Sequence, residues 1–211
     1  MRSEIVHVVD DDASVRDSLR ILLEASGFTV ATYGAATEFL IAAPSTAGGC
    51  VLTDIRMPDL GGLELQERLS SREVRLPVIV MTGQGDVALA VRAMKAGAVD
   101  FLEKPFADEQ LIDAVERALR QSRTAEESDR LAAAATLKLS ELTPREREVL
   151  ELLIAGLPTK AIANRLGASP RTIEVHRARV FAKLDADTLP EIVRIAQAAG
   201  VPPMKETPVV E

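Results

Sequence analysis

The stretch that decides the fold is "EIVHVVDDDASVRDSL", residues 4–19. An apolar, β-branched run is followed at once by Asp10, Asp11 and Asp12, and then by a segment whose apolar residues have helical spacing. Adjacent carboxylates repel one another, so three of them directly after a strand need a physical reason. The stretch therefore predicts a strand, an acidic turn with a special role, and a helix.

The same alternation continues through residue 121. The predicted strands are 4–9, 28–33, 50–54, 77–82 and 99–102, and the predicted helices are 13–26, 35–43, one after Gly61 and Gly62, 86–96 and 107–121. Five successive strand–helix units predict a five-stranded parallel sheet that is covered on both faces. Right-handed crossovers then give an α/β doubly wound fold, in which the site lies at the carboxyl ends of the strands.

The second half of the chain has a different organisation. Residues 123–139 are polar and Ala-rich and predict a partly helical, semi-rigid spacer, although Leu131, Ala135 and Leu139 also fit a packed or coiled-coil helix. Thr143 as N-cap and Glu146 in a capping box start a further helix. The predicted organisation is a first domain over 1–122, a linker over 123–139, a small all-α domain over 140–200 and a Pro-rich disordered tail over 201–211.

Charge and composition limit the functional classes. The formal net charge is −7, yet residues 157–183 hold six cations and one acid. The single cysteine, Cys50, excludes a disulfide or a cysteine metal site within one chain. No apolar run reaches the roughly 18 residues of a membrane span, and no signal-peptide pattern is present. We therefore expect a cytoplasmic protein, with no membrane contact, that has an acidic half and a basic stripe suited to nucleic acid.

Acidic and phosphate-binding residue types recur at the predicted strand ends. Asp10 and Asp11 follow strand one, and Asp54 ends strand three. These strands are neighbours in a doubly wound parallel sheet, so the carboxylates should meet. Carboxylate oxygens without His or Cys suit Mg²⁺, which retains waters and binds phosphate. Thr82 ends strand four and Lys104 follows strand five, which brings a hydroxyl and an ammonium to the same edge.

Each of these residues also has an ordinary structural interpretation. Asp12 fits a helix N-cap, a Thr before Gly is commonly a turn residue, and a Lys before Pro is commonly a solvated loop residue. Their joint occurrence at the correct strand ends favours a metal-dependent phosphoryl site. In such a site Asp54 attacks phosphorus as a carboxylate nucleophile, while Mg²⁺ and Lys104 neutralise charge on the transferred group.

The motifs "VVDDD", "LTDIRMPDLGG", "VMTG" and "AMKAGAVDFLEKPF" resemble the receiver domain of two-component response regulators, over residues 4–121. The resemblance implies a flavodoxin-like fold and phosphorylation of Asp54 by a sensor histidine kinase. It implies that Asp11, Asp54 and the backbone carbonyl of Arg56 ligate Mg²⁺, and that Asp10 acts through water.

The same resemblance assigns a switch. It implies that Thr82 binds the phosphoryl group and swings inward, and that Phe101 is the switch aromatic. It also implies a cis peptide between Lys104 and Pro105, a geometry that is nearly confined to X–Pro bonds.

The basic stripe predicts a helix-turn-helix. In "LPTKAIANRLGASPRTIEVHRARVFAKL", residues 157–184, a helix over 159–166 ends at Gly167, and a second helix begins with Ser169 as N-cap and Pro170 in its first turn. We expect this second helix to enter the DNA major groove, with mainly phosphate contacts from its cations and base contacts from its exposed face. The candidate DNA-binding residues are Lys160, Ser169, Arg171, Thr172, Glu174, Val175, His176, Arg177, Ala178, Arg179 and Lys183.

Within that set the expected roles differ. Base contacts are expected from Glu174, which can accept from a cytosine amino group, from Val175 and Ala178, and from Arg179. His176 fits either a packed, hydrogen-bonded histidine or a phosphate contact. The alternative for the whole stripe is a solvated basic face on a small helical bundle.

Residues 140–200 resemble the LuxR-type helix-turn-helix, most closely in "GLPTKAIA", "SPRTIEVHRA" and "LPEIVRIA". Together with the receiver, the chain is similar to the FixJ group of response regulators. The resemblance implies a four-helix domain that dimerises through its last helix, residues 188–199, and half-sites about one helical turn, ~34–36 Å, apart.

The predicted function is a transcriptional regulator whose phosphorylation at Asp54 leads to homodimerisation and promoter binding. The expected partners are a sensor histidine kinase, double-stranded DNA and RNA polymerase. The chain is expected not to be an enzyme apart from self-catalysed phosphoryl transfer to, and hydrolysis from, Asp54. Two alternatives stay open: a receiver that serves only as a phosphorylation-independent scaffold, and a phosphohydrolase, which would need a second acid where Arg56 stands.

Overall fold

The computed structural model describes residues 4–43, 48–72, 74–83 and 87–202, so the predicted disordered tail lies outside the described residues from 203 onward. The strands are β1 Ile5–Val9, β2 Thr29–Tyr33, β3 Gly49–Asp54, β4 Val78–Thr82 and β5 Asp100–Glu103. The helices are α1 Ala13–Ala25, α2 Ala36–Ala42, α3 Gly62–Ser71, α4 Val87–Lys95, α5 Asp108–Ser140, α6 Pro144–Ile154, α7 Thr159–Arg165, α8 Pro170–Leu184 and α9 Leu189–Ala198. These elements agree with the predicted ones to within about two residues at most ends, and α5 is the exception.

All five strands form one parallel sheet in the order β2-β1-β3-β4-β5, which confirms the predicted doubly wound architecture. Val9 of β1 lies opposite Thr53 of β3, so the residues that follow these two strands emerge side by side. On the other side of β3, Asp54 lies opposite Met81. This register brings Asp10 and Asp54 to the same edge of the sheet, with Asp54 next to the end of β4.

Helices cover both faces of the sheet. Successive strand residues point to opposite faces, so each strand contributes apolar side chains to both. Val6, Val8, Leu52 and Ile79 pack on one face with α1 and α5, as part of a buried cluster. Val9, Val51 and Val80 pack on the other face with α2, α3 and α4. The strands therefore read as continuous apolar runs, as is typical of a parallel sheet with helices on both sides.

Helix α5 differs from the expected organisation. We expected a helix over 107–121 and then a semi-rigid spacer, whereas the structure has one 33-residue helix, Asp108–Ser140. Residues 107–141 contain neither Gly nor Pro, so nothing in the sequence ends the helix earlier. The chain divides into two compact units, Met1–Glu126 and Glu127–Glu211. The domain bounds proposed from the sequence stay a prediction.

The described residues of the second unit, 127–202, contain the end of α5 and the four helices α6 to α9. Ala135 and Leu139 of α5 are buried, and Leu139 packs with Val180 and Leu184 of α8, whereas Leu131 is exposed. The Lys138 ammonium of α5 donates to the backbone carbonyl of Leu184 at 2.7 Å, where α8 ends. The last turns of α5 thus belong to the core of this unit, in agreement with the packed-helix alternative for Ala135 and Leu139.

Gly62, at the start of α3, is required by close packing under the end of β3. A Cβ atom there would lie 2.5 Å from the backbone oxygen of Asp54. We expect Gly62→Ala to lower the free energy of unfolding by about 1–3 kcal/mol, the usual cost of overpacking. Gly34→Ala is the matched control, because its Cβ would meet only the Arg16 side chain at 3.7 Å. Urea unfolding of both variants measures the difference, and equal stability would show that the Asp54 backbone shifts without cost.

Candidate functional site

The carboxyl ends of β1, β3 and β5 bring three charged side chains together. The Lys104 ammonium donates to Asp10 Oδ2 at 2.9 Å and to Asp54 Oδ1 at 2.5 Å. Asp10 is 2% exposed, the Asp54 side chain 13% and the Lys104 side chain 29%. The sequence prediction that Asp10, Asp54 and Lys104 meet at one edge is therefore matched by their contacts.

Backbone donors fix the second oxygen of each carboxylate. The amide N–H of Asp12 donates to Asp10 Oδ1 at 3.0 Å, and that of Arg56 donates to Asp54 Oδ2 at 2.7 Å. Because both carboxylates are held from two sides, their orientations are set before any ligand arrives. Asp54 is the more exposed of the two acids.

The charge balance of the pocket depends on Lys104. Burial alone would lower the pKa of Lys104, but hydrogen bonds from its ammonium to Asp54 and Asp10 and their negative charges raise it above its ordinary value. The side chain therefore carries its positive charge throughout the physiological pH range. One ammonium lies between two carboxylates, so the acid pair offers one more negative charge than Lys104 alone neutralises.

The remaining predicted pocket residues are placed as follows. Asp11 is exposed, and Asp12 is the N-cap of α1, with its side chain accepting from the amide of Ser14 at 2.8 Å. Thr82 is buried, and its hydroxyl donates to the carbonyl of Gly83 at 3.2 Å. Phe101 on β5 is 42% exposed. The Lys104–Pro105 peptide bond is cis, as the resemblance implied.

The donor set fits Mg²⁺ in kind, because it consists of oxygen atoms only. The structure does not arrange it as a metal centre: over the described ranges, no group of three or more His, Cys, Asp or Glu side chains is placed to hold an ion. Asp10 and Asp54 instead share the Lys104 ammonium, and Asp11 faces solvent. Of the acids predicted to hold magnesium, Asp10 and Asp54 thus lie together around Lys104, whereas Asp11 does not take part in this contact.

The second candidate site is the helix pair α7–α8. Gly167 has φ +61° in the turn, and Ser169 caps α8 by accepting from the amide of Thr172 at 3.1 Å. Ile173, Val180 and Leu184 are fully buried and anchor one side of α8. The opposite side exposes most of the predicted DNA-binding residues, namely Ser169, Arg171, Thr172, Glu174, Val175, Ala178 and Arg179, and Lys160 is exposed on α7.

Lys183 differs from the other cations of this stripe. Its ammonium donates to the Glu146 carboxylate at 2.7 Å and to the backbone carbonyl of Glu141 at 2.9 Å. Glu146 is buried and also completes the capping box with Thr143. The hydrogen bond from Lys183, followed by that from the Thr143 amide, lowers the pKa of Glu146 to about 2. These contacts give Lys183 a structural role that the sequence reading as a phosphate contact did not include.

We expect Lys183→Ala to destabilise the second unit by about 1–3 kcal/mol at neutral pH, because a buried carboxylate loses its partner. Since Glu146 has a depressed pKa, the stabilisation is complete above its ordinary pKa and is lost as pH falls toward about 2. The gap between wild type and variant should therefore narrow below about pH 4.5. Denaturant unfolding at a series of pH values measures this difference in stability. Lys160→Ala, at an exposed position, is the control and should change stability little. A difference that does not depend on pH would contradict the pairing of Lys183 with Glu146.

His176 is half-buried on α8, and its Nδ1 atom has no hydrogen-bond partner within the part of the chain that the structure describes. The sequence left a packed histidine and a phosphate contact equally open. The burial of Nδ1 favours packing for that nitrogen.

Comparisons with known proteins agree with both halves of this geometry. Residues 6–116 match the family described as response regulator receiver domain, and residues 140–196 match the bacterial regulatory proteins of the luxR family. The protein FixJ of Bradyrhizobium diazoefficiens is 50% identical over 93% of this chain and 96% of its own length. The chain belongs to the response regulators with a LuxR-type domain.

Other relatives of this response regulator cover it equally well. FixJ of Rhizobium meliloti is 48% identical over 96% of this chain and all of that protein. Among solved structures, the response regulator StyR matches with a TM-score of 0.80 at 40% identity, over 92% of this chain and 98% of that one. Full-length FixJ from B. japonicum matches with a TM-score of 0.59 at 48% identity, over 95% and 98%.

Two polar residues of the response regulator, one of them beside Asp10, were missed by sequence reasoning. Arg16 of α1 donates to the backbone carbonyl of Asp10 at 2.7 Å, so it supports the acidic turn. Asp59 accepts from the hydroxyl of Thr37 at 2.8 Å and from its amide at 3.3 Å, and thereby caps α2, whose own N-cap residue is Ala35. Only the role of Arg16 could have been inferred from nearby sequence, because Arg16 lies one turn into α1, directly after the acidic residues.

None of the described helices of this response regulator combines the length and apolar character that crossing a membrane requires.

Proposed function

We propose that the chain is a transcription regulator whose DNA binding is controlled by phosphorylation of Asp54. The observation that carries the proposal is the Lys104 ammonium held between Asp10 and Asp54 at the carboxyl ends of the sheet. A carboxylate nucleophile needs a nearby cation to accept a phosphoryl group, because the group brings further negative charge. Asp54 is the more accessible of the two acids, so it is the acceptor.

The transfer forms a phosphorus–oxygen bond to Asp54 and breaks the phosphorus–nitrogen bond of a phosphohistidine on a sensor histidine kinase. The electron pair of the broken bond stays with the kinase histidine. Arg56 and Lys104 hold Asp54 in position, the first through its amide and the second through its ammonium. Lys104 then pairs with a phosphoryl oxygen, as an ammonium pairs with a phosphate elsewhere.

A magnesium ion belongs to this proposal as the cofactor. Asp10, Asp11, Asp54 and the backbone carbonyl of Arg56 would hold it, and it would supply charge neutralisation to the phosphoryl group. The oxygen-only donor set and the excess negative charge of the acid pair support this assignment. The chemistry of the chain is limited to phosphorylation and dephosphorylation of its own Asp54.

The phosphoryl group acts as a switch through Thr82 and Phe101. The buried Thr82 hydroxyl bonds a neighbouring carbonyl in the structure, and a phosphoryl oxygen is a stronger acceptor for it. Its inward rotation would leave space that the half-exposed Phe101 ring fills. A coupling of ~1–3 kcal/mol is enough for a 5–150-fold change in DNA affinity. Homodimerisation on phosphorylation is the step that we propose for this coupling.

The DNA-binding surface is the exposed side of α8 with Lys160 of α7. Arg171, Arg177 and Arg179 provide the phosphate contacts of α8, with Thr172 and the capped helix start at Ser169 as neutral donors. Val175 and Ala178, which are exposed on α8, would meet base edges in the major groove. We propose a cytoplasmic protein that binds promoter DNA and contacts RNA polymerase.

The test combines acetyl phosphate labelling with DNA binding. The full-length chain is incubated with acetyl phosphate and Mg²⁺, the modified residue is mapped by mass spectrometry, and affinity for DNA selected from random pools is measured with and without treatment. Label on Asp54 with a rise in affinity supports the proposal. Label without any change in affinity would favour the phosphorylation-independent scaffold, and continuous turnover of organic phosphates would favour a phosphohydrolase.

A further inference from the structure

Glu174 is the one acid among residues 157–183, in the stretch that carries six cations. An acid on a helix that approaches the phosphates of DNA is unfavourable unless its charge is used or offset. The direct explanation is that Glu174 accepts a hydrogen bond from a cytosine amino group. The structure gives the carboxylate a different partner.

Thr159, the first residue of α7, bridges Glu174 and Arg177. Its hydroxyl donates to Glu174 Oε1 at 2.6 Å, and Arg177 Nη1 donates to the same hydroxyl at 2.6 Å. Arg177 Nη1 also lies 3.5 Å from Glu174 Oε1. Since the guanidinium can only donate, the hydroxyl proton must point to Glu174, and all three side chains have fixed roles.

The bridge has little to do with stability. The Glu174 side chain is 57% exposed and that of Arg177 31%, and ion pairs at such sites add little to the free energy of unfolding. What the bridge does fix is the rotamer of each long side chain before DNA arrives. Side chains that are ordered in advance lose less freedom on binding, which favours the complex.

The geometry points to Thr159 and Glu174 as positioning residues that hold Arg177 for a DNA phosphate, so that Glu174 is not a base-reading residue. This inference rests on the proposed DNA binding. One guanidinium nitrogen is committed to Thr159, and the rest of the fork is left for phosphate oxygens, which guanidinium groups bind in pairs. The carboxylate offsets the charge of Arg177 on the side toward α7.

The test is a double-mutant cycle on the full-length chain, with every variant treated identically with acetyl phosphate and Mg²⁺. Thr159→Val removes the hydroxyl at nearly constant size, and Thr159→Ser restores it. We expect Thr159→Val to weaken binding about threefold to tenfold on every DNA sequence, and Thr159→Ser to bind like wild type. Arg177→Ala alone should weaken DNA binding by the same order of magnitude as Thr159→Val. In the Thr159→Val background, Arg177→Ala should weaken DNA binding further by less than about twofold.

Arg171→Ala is the matched control, because it removes an exposed cation of α8 outside the bridge. Its effect should be the same in the wild-type and Thr159→Val backgrounds. For Glu174→Gln, selection from random DNA pools should show no change of preference at any single base pair. Additive effects of Thr159→Val and Arg177→Ala, or loss of a cytosine preference at one position in Glu174→Gln, would overturn this inference alone. A wild-type chain that selects no DNA would overturn it together with the proposed function.

Discussion

An Asp54→Asn variant is expected to take up no phosphoryl label from acetyl phosphate, and its DNA affinity should not respond to that treatment. Asparagine keeps the size of the side chain but removes the carboxylate nucleophile and the ion pair with Lys104. The whole phosphorylation-dependent gain, 5–150-fold for a coupling of ~1–3 kcal/mol, should disappear. Labelling followed by mass spectrometry, and DNA binding with and without acetyl phosphate, measure the two effects.

Asp17→Asn is the control for this variant. Asp17 lies on α1 with a 70% exposed side chain and pairs only weakly with Arg20, at 3.5 Å. It carries the same charge change as Asp54→Asn but lies outside the pocket, so its labelling should equal that of wild type. An Asp54→Asn chain that is labelled at the wild-type rate would assign the phosphoryl group to another residue.

The second large effect is expected from Arg171→Ala combined with Arg179→Ala. Both side chains are exposed on the surface of α8 that is proposed to meet DNA. Loss of two charged contacts to phosphates should weaken binding on the order of 10–100-fold on all sequences. The slope of log affinity against log salt should become shallower by about two, since each phosphate contact contributes about 0.9. Titrations of one selected duplex between low and physiological salt measure both quantities.

Arg130→Ala is the control, because Arg130 is a 77% exposed cation of α5 in the same unit. It should leave the salt slope unchanged, which separates a local contact from a general charge effect. A double variant with the wild-type slope would contradict the proposed docking of α8, and a loss confined to one base pair would assign these arginines to base recognition.

The grouping of the charged pocket residues could be predicted because the sheet fixes where each strand ends. Asp10, Asp54 and Lys104 are far apart in the chain, but each follows an apolar run, and parallel strands place their carboxyl ends at one edge. Helix starts were equally readable: Thr143 and Ser169 cap α6 and α8 as expected, since capping depends on neighbours within three residues.

Contacts between distant side chains were not predictable in this way. Lys183 looked like one more cation of the stripe, and only the fold shows that its ammonium reaches Glu146 of α6. Asp59 caps α2 through Thr37, which lies 22 residues earlier in the chain, and no local spacing indicates such a cap. Periodicity reports which face of a helix is apolar, but it does not identify the partner of a polar side chain.

The end of α5 has a consequence for how such a protein can be recombined. The luxR family match begins at residue 140, yet Ala135, Lys138 and Leu139 already contribute to the core and to the end of α8. A chimera joined at residue 140 would contain the DNA-binding domain without the α5 residues that stabilise its core. We therefore expect domain exchange between regulators to be better tolerated when the junction lies before Ala135. The transferred DNA-binding domain then keeps the last turns of α5.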